Sequence, residues 1–303
     1  MLGDNPEKIL NLYETKEGFY RVLPPPEKEL EEYYSEKYYK EDCANYKHEY
    51  TDERKEHFLD TVRKVIKILR MLAFGEPKAC LEIGCGEGWG LRIFKEEGWD
   101  VTGVDFTSYP CSIHNPDFVD DIITGSLYDT LPGLIKLGNK YQILYFDNLL
   151  EHVRDPVQLL EYCRELIEPD GALIIEVPNA NSAFYRYLFN CGKQDWRMGF
   201  AKYPDHLAYF DIDSLRTVCN NAGFQEVIIM DIANYNYNIN GVTFQLEEYL
   251  EAQPIKKALT YYAARADVGL GPEILGFWRP KDAVQGKEEK EKKEIGEGCG
   301  TKD

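Results

Sequence analysis

Three glycines that alternate with other residues, Gly84, Gly86 and Gly88, follow directly after an apolar run at residues 79–83. Glycine has no Cβ atom, so a loop of this composition lets the backbone approach a bound molecule closely. A glycine-rich loop between a strand and a helix is where α/β sheets bind nucleotide-like ligands. The same composition also occurs in a plain strand-to-helix turn, and the loop alone leaves both interpretations open.

Two carboxylates, one just before this loop and one at the end of the next predicted strand, limit the ligands that the loop could bind. Asp105 follows Gly84 by 21 residues, at the end of the next predicted strand, where an acid can accept hydrogen bonds from both hydroxyls of a ribose. Glu82 stands just before the loop, where its charge opposes a pyrophosphate and suits a cationic ligand. The dinucleotide fingerprint requires a glycine at position 89, which is Trp89 here, and this argues against an NAD-dependent oxidoreductase.

Candidates for proton transfer come later in the chain. His206 lies beside Asp205 near the end of a long segment rich in aromatic residues, and a histidine titrates close to neutral pH. We expect His206 to act as a general base, with a role in fixing the start of the following helix as the alternative. Glu151 and His152 follow another predicted strand and are the other catalytic candidates. For His152 the alternative role is packing against the start of the next helix.

Short apolar runs alternate with amphipathic segments along most of the chain, which predicts a parallel sheet with helices on both faces, the α/β class. The predicted strands are residues 79–83, 100–104, 118–127, 141–146, 172–177, 224–230 and 273–279. The predicted helices are residues 27–40, 58–73, 88–97, 155–167 and 214–221. The candidate residues therefore follow the carboxyl ends of strands, where such sheets bind their ligands.

Three regions stand outside this alternation. Residues 1–54 are rich in glutamate and tyrosine and predict a helical cap on a main domain at residues 55–281. Within that domain, insertions at residues 178–210 and 231–271 are expected to form the acceptor side of the site, with a helical pattern at residues 244–267. Several tyrosines of the cap are candidates for covering a bound ligand: Tyr33, Tyr38, Tyr39, Tyr46 and Tyr50.

Charge and composition exclude several classes of partner. Lys and Arg number 35 and Asp and Glu number 53, a net charge of −18, so the chain lacks the basic surface of a nucleic-acid-binding protein and would be repelled by anionic membranes. The acidic N-terminus does not resemble a signal peptide, and we expect a cytoplasmic protein. The eight cysteines include no Cys-x-x-Cys pair, which favours free thiols and no bound metal. Residues 282–303 are highly charged, which predicts a disordered tail, and a homodimer is compatible with all these features.

In its motifs the chain resembles the class I S-adenosylmethionine-dependent methyltransferases. The resemblance extends over residues 76–281 and depends on five segments in the order and spacing of that family. The segments are Glu82-Ile-Gly-Cys-Gly-Glu-Gly88, Gly103-Val-Asp105, Asp147-Asn-Leu-Leu-Glu-His-Val-Arg-Asp-Pro156, Glu168-Pro-Asp-Gly-Ala-Leu-Ile-Ile-Glu-Val-Pro178, and Asp205-His-Leu-Ala-Tyr-Phe210 followed by Ala222-Gly-Phe224. The branch that it most resembles methylates sugars, polysaccharide precursors and similar small molecules.

This resemblance implies a Rossmann-like sheet of seven strands whose last strand is antiparallel and inserted between the fifth and the sixth. It implies S-adenosylmethionine as cofactor and a hydroxyl of a sugar or polysaccharide precursor as methyl acceptor. Nitrogen and carbon acceptors, and a non-catalytic cofactor-binding protein, remain as alternatives. The cofactor-binding residues that it implies are Glu82, Gly84, Cys85, Gly86, Gly88, Asp105, Phe106, Ser126, Leu127, Asp147 and Asn148.

The chain departs from the family pattern at the adenine end of the cofactor site. Many members carry an acid that bonds the adenine amino group, just after the glycine that ends the third strand. In this chain Gly125 is followed by Ser126 and Leu127. The adenine would then depend on the Ser126 hydroxyl, the Leu127 backbone or Asp129.

Overall fold

The central sheet of the protein has seven strands in the computed structural model. The structure describes residues 13–40, 46–182, 205–232, 236–239, 242–245 and 273–281. Within these residues the strands are β1 (Tyr13–Glu14), β2 (Tyr20–Arg21), β3 (Ala79–Ile83), β4 (Asp100–Asp105), β5 (Ile122–Thr124), β6 (Tyr141–Asp147), β7 (Ile167–Pro178), β8 (Ala208–Tyr209), β9 (Phe224–Ile232), β10 (Asn236–Ile239), β11 (Val242–Gln245) and β12 (Glu273–Pro280). The helices are α1 (Glu27–Tyr33), α2 (Asp52–Met71), α3 (Trp89–Glu96), α4 (Tyr109–His114), α5 (Leu127–Lys136), α6 (Pro156–Leu166) and α7 (Ile212–Asn221). A π-helical segment at Tyr34–Tyr38 follows α1, and a 3₁₀ helix at Pro116–Asp121 follows α4.

The strand order of the central sheet is β5-β4-β3-β6-β7-β12-β9. Neighbours from β5 to β7 pair in parallel, whereas β12 is antiparallel to both β7 and β9. The predicted seven-stranded fold, with its last strand between the fifth and the sixth, is therefore confirmed. The chain adds strands on one side of β3 and then returns to add β6 on its other side. At such a reversal a crevice opens beyond the carboxyl ends of the strands.

The helices cover the sheet because their apolar residues recur at intervals of three and four positions. The buried face of α2 shows this spacing in Leu59, Val62, Val65, Ile66 and Leu69. The start of α6 follows the sequence signal, since Asp155 caps it by accepting a hydrogen bond from the Gln158 N–H at 3.1 Å. Within the described parts of the chain, no helix combines the length and the apolar character needed to cross a membrane.

Two predicted elements near the site differ from the structure. The strand predicted at residues 118–127 is mostly a 3₁₀ helix, because Pro116 begins that turn with its fixed helical φ, and only Ile122–Thr124 is extended. Gly125, with φ of 140°, ends the strand. The helix predicted at residues 27–40 is shorter, since α1 passes into the π-helical segment after one and a half to two turns.

The prediction of a helix at residues 244–267 is wrong at its start, where residues 244 and 245 belong to β11 and pair with β10 in an antiparallel hairpin. The sequence carries Asn-Gly at residues 240–241, a hairpin signal that the helical periodicity obscured. The rest of that predicted helix, most of the 178–210 insertion and the charged tail at 282–303 lie outside the described residues.

Residues 13–40, which we call the cap segment, are joined to the chain just before α7. Strand β2 of the cap lies between β1 and β8 in a small antiparallel sheet. The Val22 N–H donates to the Leu207 carbonyl at 3.0 Å. The rings of Phe19 and Phe210, both buried, lie 4.7 Å apart. These contacts fix the cap beside the residues that enter the site from the second half of the chain.

The packing of β12 gives a direct test of this fold. A Cβ atom on Gly276 would lie 2.0 Å from the ring of Trp278, which is buried. We expect Gly276→Ala to lower the free energy of unfolding by roughly 1–3 kcal/mol, the usual cost of overpacking a core. Chemical denaturation followed by tryptophan fluorescence measures this change.

The matched control is Gly133→Ala in α5, where a Cβ atom has no neighbour within 4 Å. Alanine is the better helix former, so this variant should gain up to about 1 kcal/mol. Equal stability of the two variants would contradict the position of Trp278 beside Gly276.

Candidate active site

The glycine loop after β3 has the backbone conformation that its sequence predicts. Gly84, Gly86 and Gly88 have φ of 74°, 47° and 79°, in the left-handed region that favours glycine. A Cβ atom on Gly84 would also lie 2.6 Å from the side chain of Leu149. The Gly84 N–H donates to the Val104 carbonyl at 2.7 Å, which holds the loop against the end of β4.

Asp105, the last residue of β4, fixes the other side of this loop. Its Oδ2 accepts from the Gly86 N–H at 2.9 Å and its Oδ1 from the Thr107 N–H at 3.3 Å. Burial raises the pKa of Asp105 to about 6, although N–H donors from Gly86, Thr107 and Phe106 oppose the rise. The carboxylate is ionised at neutral pH, lines the cavity described below and can accept further hydrogen bonds there.

The side chains of Glu82 and Cys85 pack against the elements on either side of the glycine loop and help to hold it in place. A Cβ atom on Gly90 would lie 2.2 Å from Oε1 of Glu82, so this carboxyl packs closely on the start of α3. Burial raises the pKa of Glu82, the charge of Asp147 raises it further, and a hydrogen bond from the Leu91 N–H opposes both. The sulfur of Cys85 occupies the space beside Gly103 of β4, at 2.8 Å from where a Cβ atom would be.

A cavity lies between the cap segment and the carboxyl ends of the strands. Several predicted site residues line it: Gly84, Asp105, Phe106, Leu127, Asn148 and His152. The cap contributes Glu27, Leu30, Tyr34, Tyr38 and Tyr39. The remaining wall consists of Tyr128, Leu149, Val153 and Arg154. The cap thus supplies one wall of the cavity, and the sequence motifs assigned no role to Glu27, Leu30 or Tyr34. Tyr38 and Tyr39 are two of the tyrosines that the sequence proposed for covering the ligand.

The other predicted cofactor residues lie next to the lining residues. Gly86 and Gly88 belong to the glycine loop, and the Gly86 N–H bonds Asp105. Ser126 caps α5, and its hydroxyl donates to Oε1 of Glu27 at 2.6 Å. Asp147 ends β6, where burial raises its pKa while a hydrogen bond from the Asn148 side chain at 2.8 Å lowers it.

Tyr34 of the cap connects the two halves of the cavity wall. Its ring is stacked on Phe106, with centroids 5.9 Å apart and planes inclined by 9°. Its hydroxyl donates to Oδ1 of Asp205 at 3.5 Å and lies 3.1 Å from Nδ1 of His152. Five other tyrosines near the N-terminus, and not Tyr34, were the sequence candidates, because adjacent tyrosines in one short helical segment cannot be told apart by sequence alone.

The three predicted catalytic residues are brought together beside this cavity. Nδ1 of His152 donates to the Asp205 carbonyl at 2.6 Å and lies 3.3 Å from the Asp205 carboxylate. Nε2 of His152 lies 3.5 Å from Oε1 of Glu151. The His206 ring is perpendicular to that of His152 at 4.8 Å, and His206 is only 8% exposed. His152, and not His206, lines the cavity.

Backbone hydrogen bonds hold this cluster in place. The N–H groups of Leu207 and Ala208 both donate to the Glu151 carbonyl, at 2.7 and 3.0 Å. The segment that contains His206 is thereby fixed to the loop after β6, although 55 residues separate Glu151 from His206 in the sequence. His152 itself bonds Asp205 of this segment, and its packing against the start of α6, the alternative role, stays a prediction.

The charge of the cluster determines the protonation of His152. Burial alone would lower the pKa of this imidazole, but the carboxylates of Glu151 and Asp205 together raise it well above the usual value. Ligand atoms of Glu151, His152 and His206 lie within 4.8 Å of one another, a spacing that could also hold a metal ion. The expectation that no metal binds here therefore stays a prediction.

In a comparison with protein families, most of the described chain matches one family. Residues 55–228 match the family described as "Methyltransferase domain". This segment contains the glycine loop, Asp105, Glu151 and His206. The match therefore includes both the loop that faces the cavity and the cluster of catalytic candidates.

Curated relatives match a shorter part of the chain. The ubiquinone biosynthesis O-methyltransferase of Haemophilus ducreyi is 28% identical over 114 residues, which is 36% of this chain and 48% of that protein. The protein of the same name from Coxiella burnetii is 28% identical over 132 residues, 43% of this chain and 56% of that protein. The chain thus spans about half the length of these curated relatives.

Solved structures share the architecture at lower identity. A SAM-dependent methyltransferase from Archaeoglobus fulgidus is 19% identical with a TM-score of 0.52, and the match covers 74% of this chain and 94% of that one. The plantazolicin methyltransferase BpumL, solved with a monoazolic desmethylPZN analogue and SAH, is 14% identical with a TM-score of 0.52, over 84% and 96% of the two chains. At these identities the likeness shows a common fold.

The protonation of His152 can be tested without any ligand. In an NMR titration of labelled histidines, the His152 signal, assigned with His152→Gln, should have a midpoint above the ordinary value of 6.5 because two carboxylates face the ring. Asp205→Asn removes one of those charges and should lower that midpoint. His57 is the internal control, since burial lowers its pKa. A His152 midpoint at or below that of His57 would contradict the ion pairs.

Proposed function

This chain belongs to the methyltransferase domain family, and we propose that it transfers the methyl group of S-adenosylmethionine to a hydroxyl of a small molecule. The observation that carries the proposal is the position of His152, which lines the same cavity as Asp105 and Phe106 while two carboxylates face its ring. Residues suited to a nucleoside and a group able to accept a proton therefore border one cavity.

The cavity suits a nucleoside with a cationic end. Carboxylates of Asp105 and Glu27 border it, and Phe106 and Leu127 add apolar surface. The basic group of Arg154 in its wall lies 3.8 Å from the Glu27 carboxylate and is thereby partly neutralised. This arrangement would oppose a pyrophosphate but is compatible with the ribose, adenine and sulfonium of S-adenosylmethionine. In this assignment Asp105 accepts hydrogen bonds from the ribose hydroxyls.

The chain's own residues must position the acceptor and take its proton. When bound, S-adenosylmethionine supplies a methyl group that its sulfonium sulfur already activates. The protein contributes alignment of the acceptor and exclusion of water. Because Nδ1 of His152 donates to the Asp205 carbonyl, its Nε2 is the atom that can receive a proton. Glu151, at 3.5 Å from Nε2, would stabilise the imidazolium that forms.

The acidity of the hydroxyl separates the candidate acceptors. A phenol has a pKa of about 10, so an imidazole of raised pKa can assist its ionisation, whereas a sugar hydroxyl is a much weaker acid. The curated relatives described above are named for O-methylation in ubiquinone biosynthesis. Both points favour a phenolic hydroxyl over the sugar hydroxyl that the sequence motifs implied. The acceptor class is part of our proposal, since those relatives match over only about half their length.

Cofactor binding gives the first test. Calorimetry should show that S-adenosylhomocysteine binds and that NAD does not. Asp105→Ala should weaken binding by roughly 1–3 kcal/mol, because charge-assisted bonds to the ribose are lost. In the wild type, affinity should fall as the pH decreases below about 6, where Asp105 becomes protonated before the ligand binds. The matched control is Asp60→Ala, an exposed acid of α2 outside the cavity wall. NAD binding without S-adenosylhomocysteine binding would refute the cofactor assignment.

Turnover gives the second test. Labelled S-adenosylmethionine should be incubated with a panel of phenols, catechols, nucleotide sugars and sugar phosphates, and we expect labelled product from a phenolic compound. With that acceptor, His152→Ala should lower kcat by about 10²–10⁴-fold, as expected for loss of a general base. The affinity for S-adenosylhomocysteine should change little. The rate of the wild type should rise with pH as the imidazole loses its proton.

The same assay distinguishes the two histidines. His206→Ala should reduce kcat less than His152→Ala, because His206 contacts the His152 ring from outside the cavity wall. His57→Ala on α2 is the control and should be near wild type. A stably folded His152→Ala protein with full turnover, combined with a large loss in His206→Ala, would return the role of base to His206. Labelled sugar and no labelled phenol would overturn the proposed acceptor class.

A further inference from the structure

We propose that Glu27 of the cap segment accepts the hydrogen bond of the adenine amino group and so replaces the acid that the chain lacks after β5. The inference rests on the proposed use of S-adenosylmethionine and is independent of the methyl acceptor. It assigns a direct role in cofactor recognition to the cap, which lies outside the segment that matches the methyltransferase domain.

The position of Glu27 is the first argument. The end of β5 is adjacent to the ribose-side acid, because the Gly125 N–H donates to the Asp105 carbonyl at 2.9 Å. The next residue, Ser126, donates its hydroxyl to Oε1 of Glu27 at 2.6 Å. Glu27 lines the cavity together with Leu127 and Asp105. The cap thus places a carboxylate beside Ser126, the residue that stands where many family members have an acid.

The second argument is that one oxygen of this carboxylate accepts no hydrogen bond in the structure. Oε2 of Glu27 is buried and has no hydrogen-bond partner in the structure. A cation, Nη1 of Arg154, lies 3.8 Å from this oxygen, which is an ion-pair distance but too long for a hydrogen bond. A buried acceptor without a donor is costly, and a ligand that brings an N–H group to this atom removes the cost.

The chemistry of the two groups is the third argument. An ionised carboxylate only accepts hydrogen bonds, and the 6-amino group of adenine only donates them. The Leu127 N–H lies in the first turn of α5, where the helix itself offers it no partner, so it can serve a ring nitrogen that accepts. An acceptor and a donor side by side suit adenine, and they disfavour hypoxanthine, which has a carbonyl oxygen in place of the amino group.

Glu27 would therefore couple cofactor binding to the cap. The Ser126 hydroxyl and the amino group of the ligand would bind the two oxygens of one side chain. Tyr34, one to two turns further along the cap, stacks on Phe106 in the same cavity. Release of the cap from the domain would remove both contacts at once.

The test compares two ligands that differ at the 6-position and the adjacent N1: adenine has an amino group beside an accepting nitrogen, and hypoxanthine has a carbonyl oxygen beside an N–H group. Calorimetry measures the affinity of wild type, Glu27→Gln and the control Glu29→Gln for S-adenosylhomocysteine and for S-inosylhomocysteine. The wild type should prefer S-adenosylhomocysteine by about 10- to 100-fold, the range for a hydrogen bond to a charged group. In Glu27→Gln the preference should fall at least about tenfold, because the amide can donate to the carbonyl oxygen of hypoxanthine. Glu29 is exposed on the same helix, so Glu29→Gln should keep the wild-type preference.

A further variant excludes a purely structural role. Glu27→Ala removes the acceptor without adding a donor, so it should lose the preference for S-adenosylhomocysteine but bind S-inosylhomocysteine more weakly than Glu27→Gln does. Thermal melting of each variant checks that it is folded. An unchanged preference in Glu27→Gln, or equal affinities of Glu27→Ala and Glu27→Gln for S-inosylhomocysteine, would overturn the inference. If S-adenosylhomocysteine bound to none of the proteins, the proposed cofactor itself would be refuted, which is a distinct result.

Discussion

The hydrogen bond from the Gly86 N–H to the Asp105 carboxylate joins the ends of β3 and β4, and the rest of the site depends on this junction. It requires a left-handed backbone in the glycine loop and a buried acid at the end of β4. Burial raises the pKa of that acid and the surrounding N–H groups oppose the rise, so that its pKa is about 6. The loop thereby obtains a fixed shape, and the cavity obtains an ionised carboxylate at neutral pH.

A second set of contacts brings distant parts of the chain to this junction. The loop after β6 presents a single backbone carbonyl, that of Glu151, to two N–H groups near β8. Strand β2 of the cap pairs with β8. Tyr34 of the cap then reaches both Phe106 and His152. The site is consequently a joint product of the matched domain and the cap, and substitutions in either part should affect the same cavity.

The parts that were predictable from sequence are those with local signals. Buried parallel strands are short apolar runs, and the sequence predicts β3, β4 and β6 to within one residue at each end. The core of β7 is predicted as well, but this strand begins five residues before the predicted start at residue 172. The glycine loop and Asp105 were equally visible, since their chemistry depends on residue types at short spacing. Strand β5 was placed poorly because it is a short edge strand beside a proline-initiated turn.

The residues that could not be predicted act across long separations. Glu27 meets Ser126 over 99 residues, and Tyr34 meets His152 over 118. No spacing rule connects such pairs before the fold is known. The expectation that His206 is the base depended on its sequence position alone. Both histidines lie near an acid in sequence, and the packing of the loop after β6 shows that the His152 ring borders the cavity.

The insertion of β12 between β7 and β9 has a consequence for how the protein is made on the ribosome. Strand β12 pairs with both neighbours along most of its length, yet it follows β9 by 40 residues in the sequence. While the nascent chain ends before Glu273, the edges of β7 and β9 have no permanent partner, and unpaired edges of this kind promote association with other chains. The sheet is therefore complete only after β12 has been translated. Chains from mRNAs truncated before β12 should be prone to aggregation.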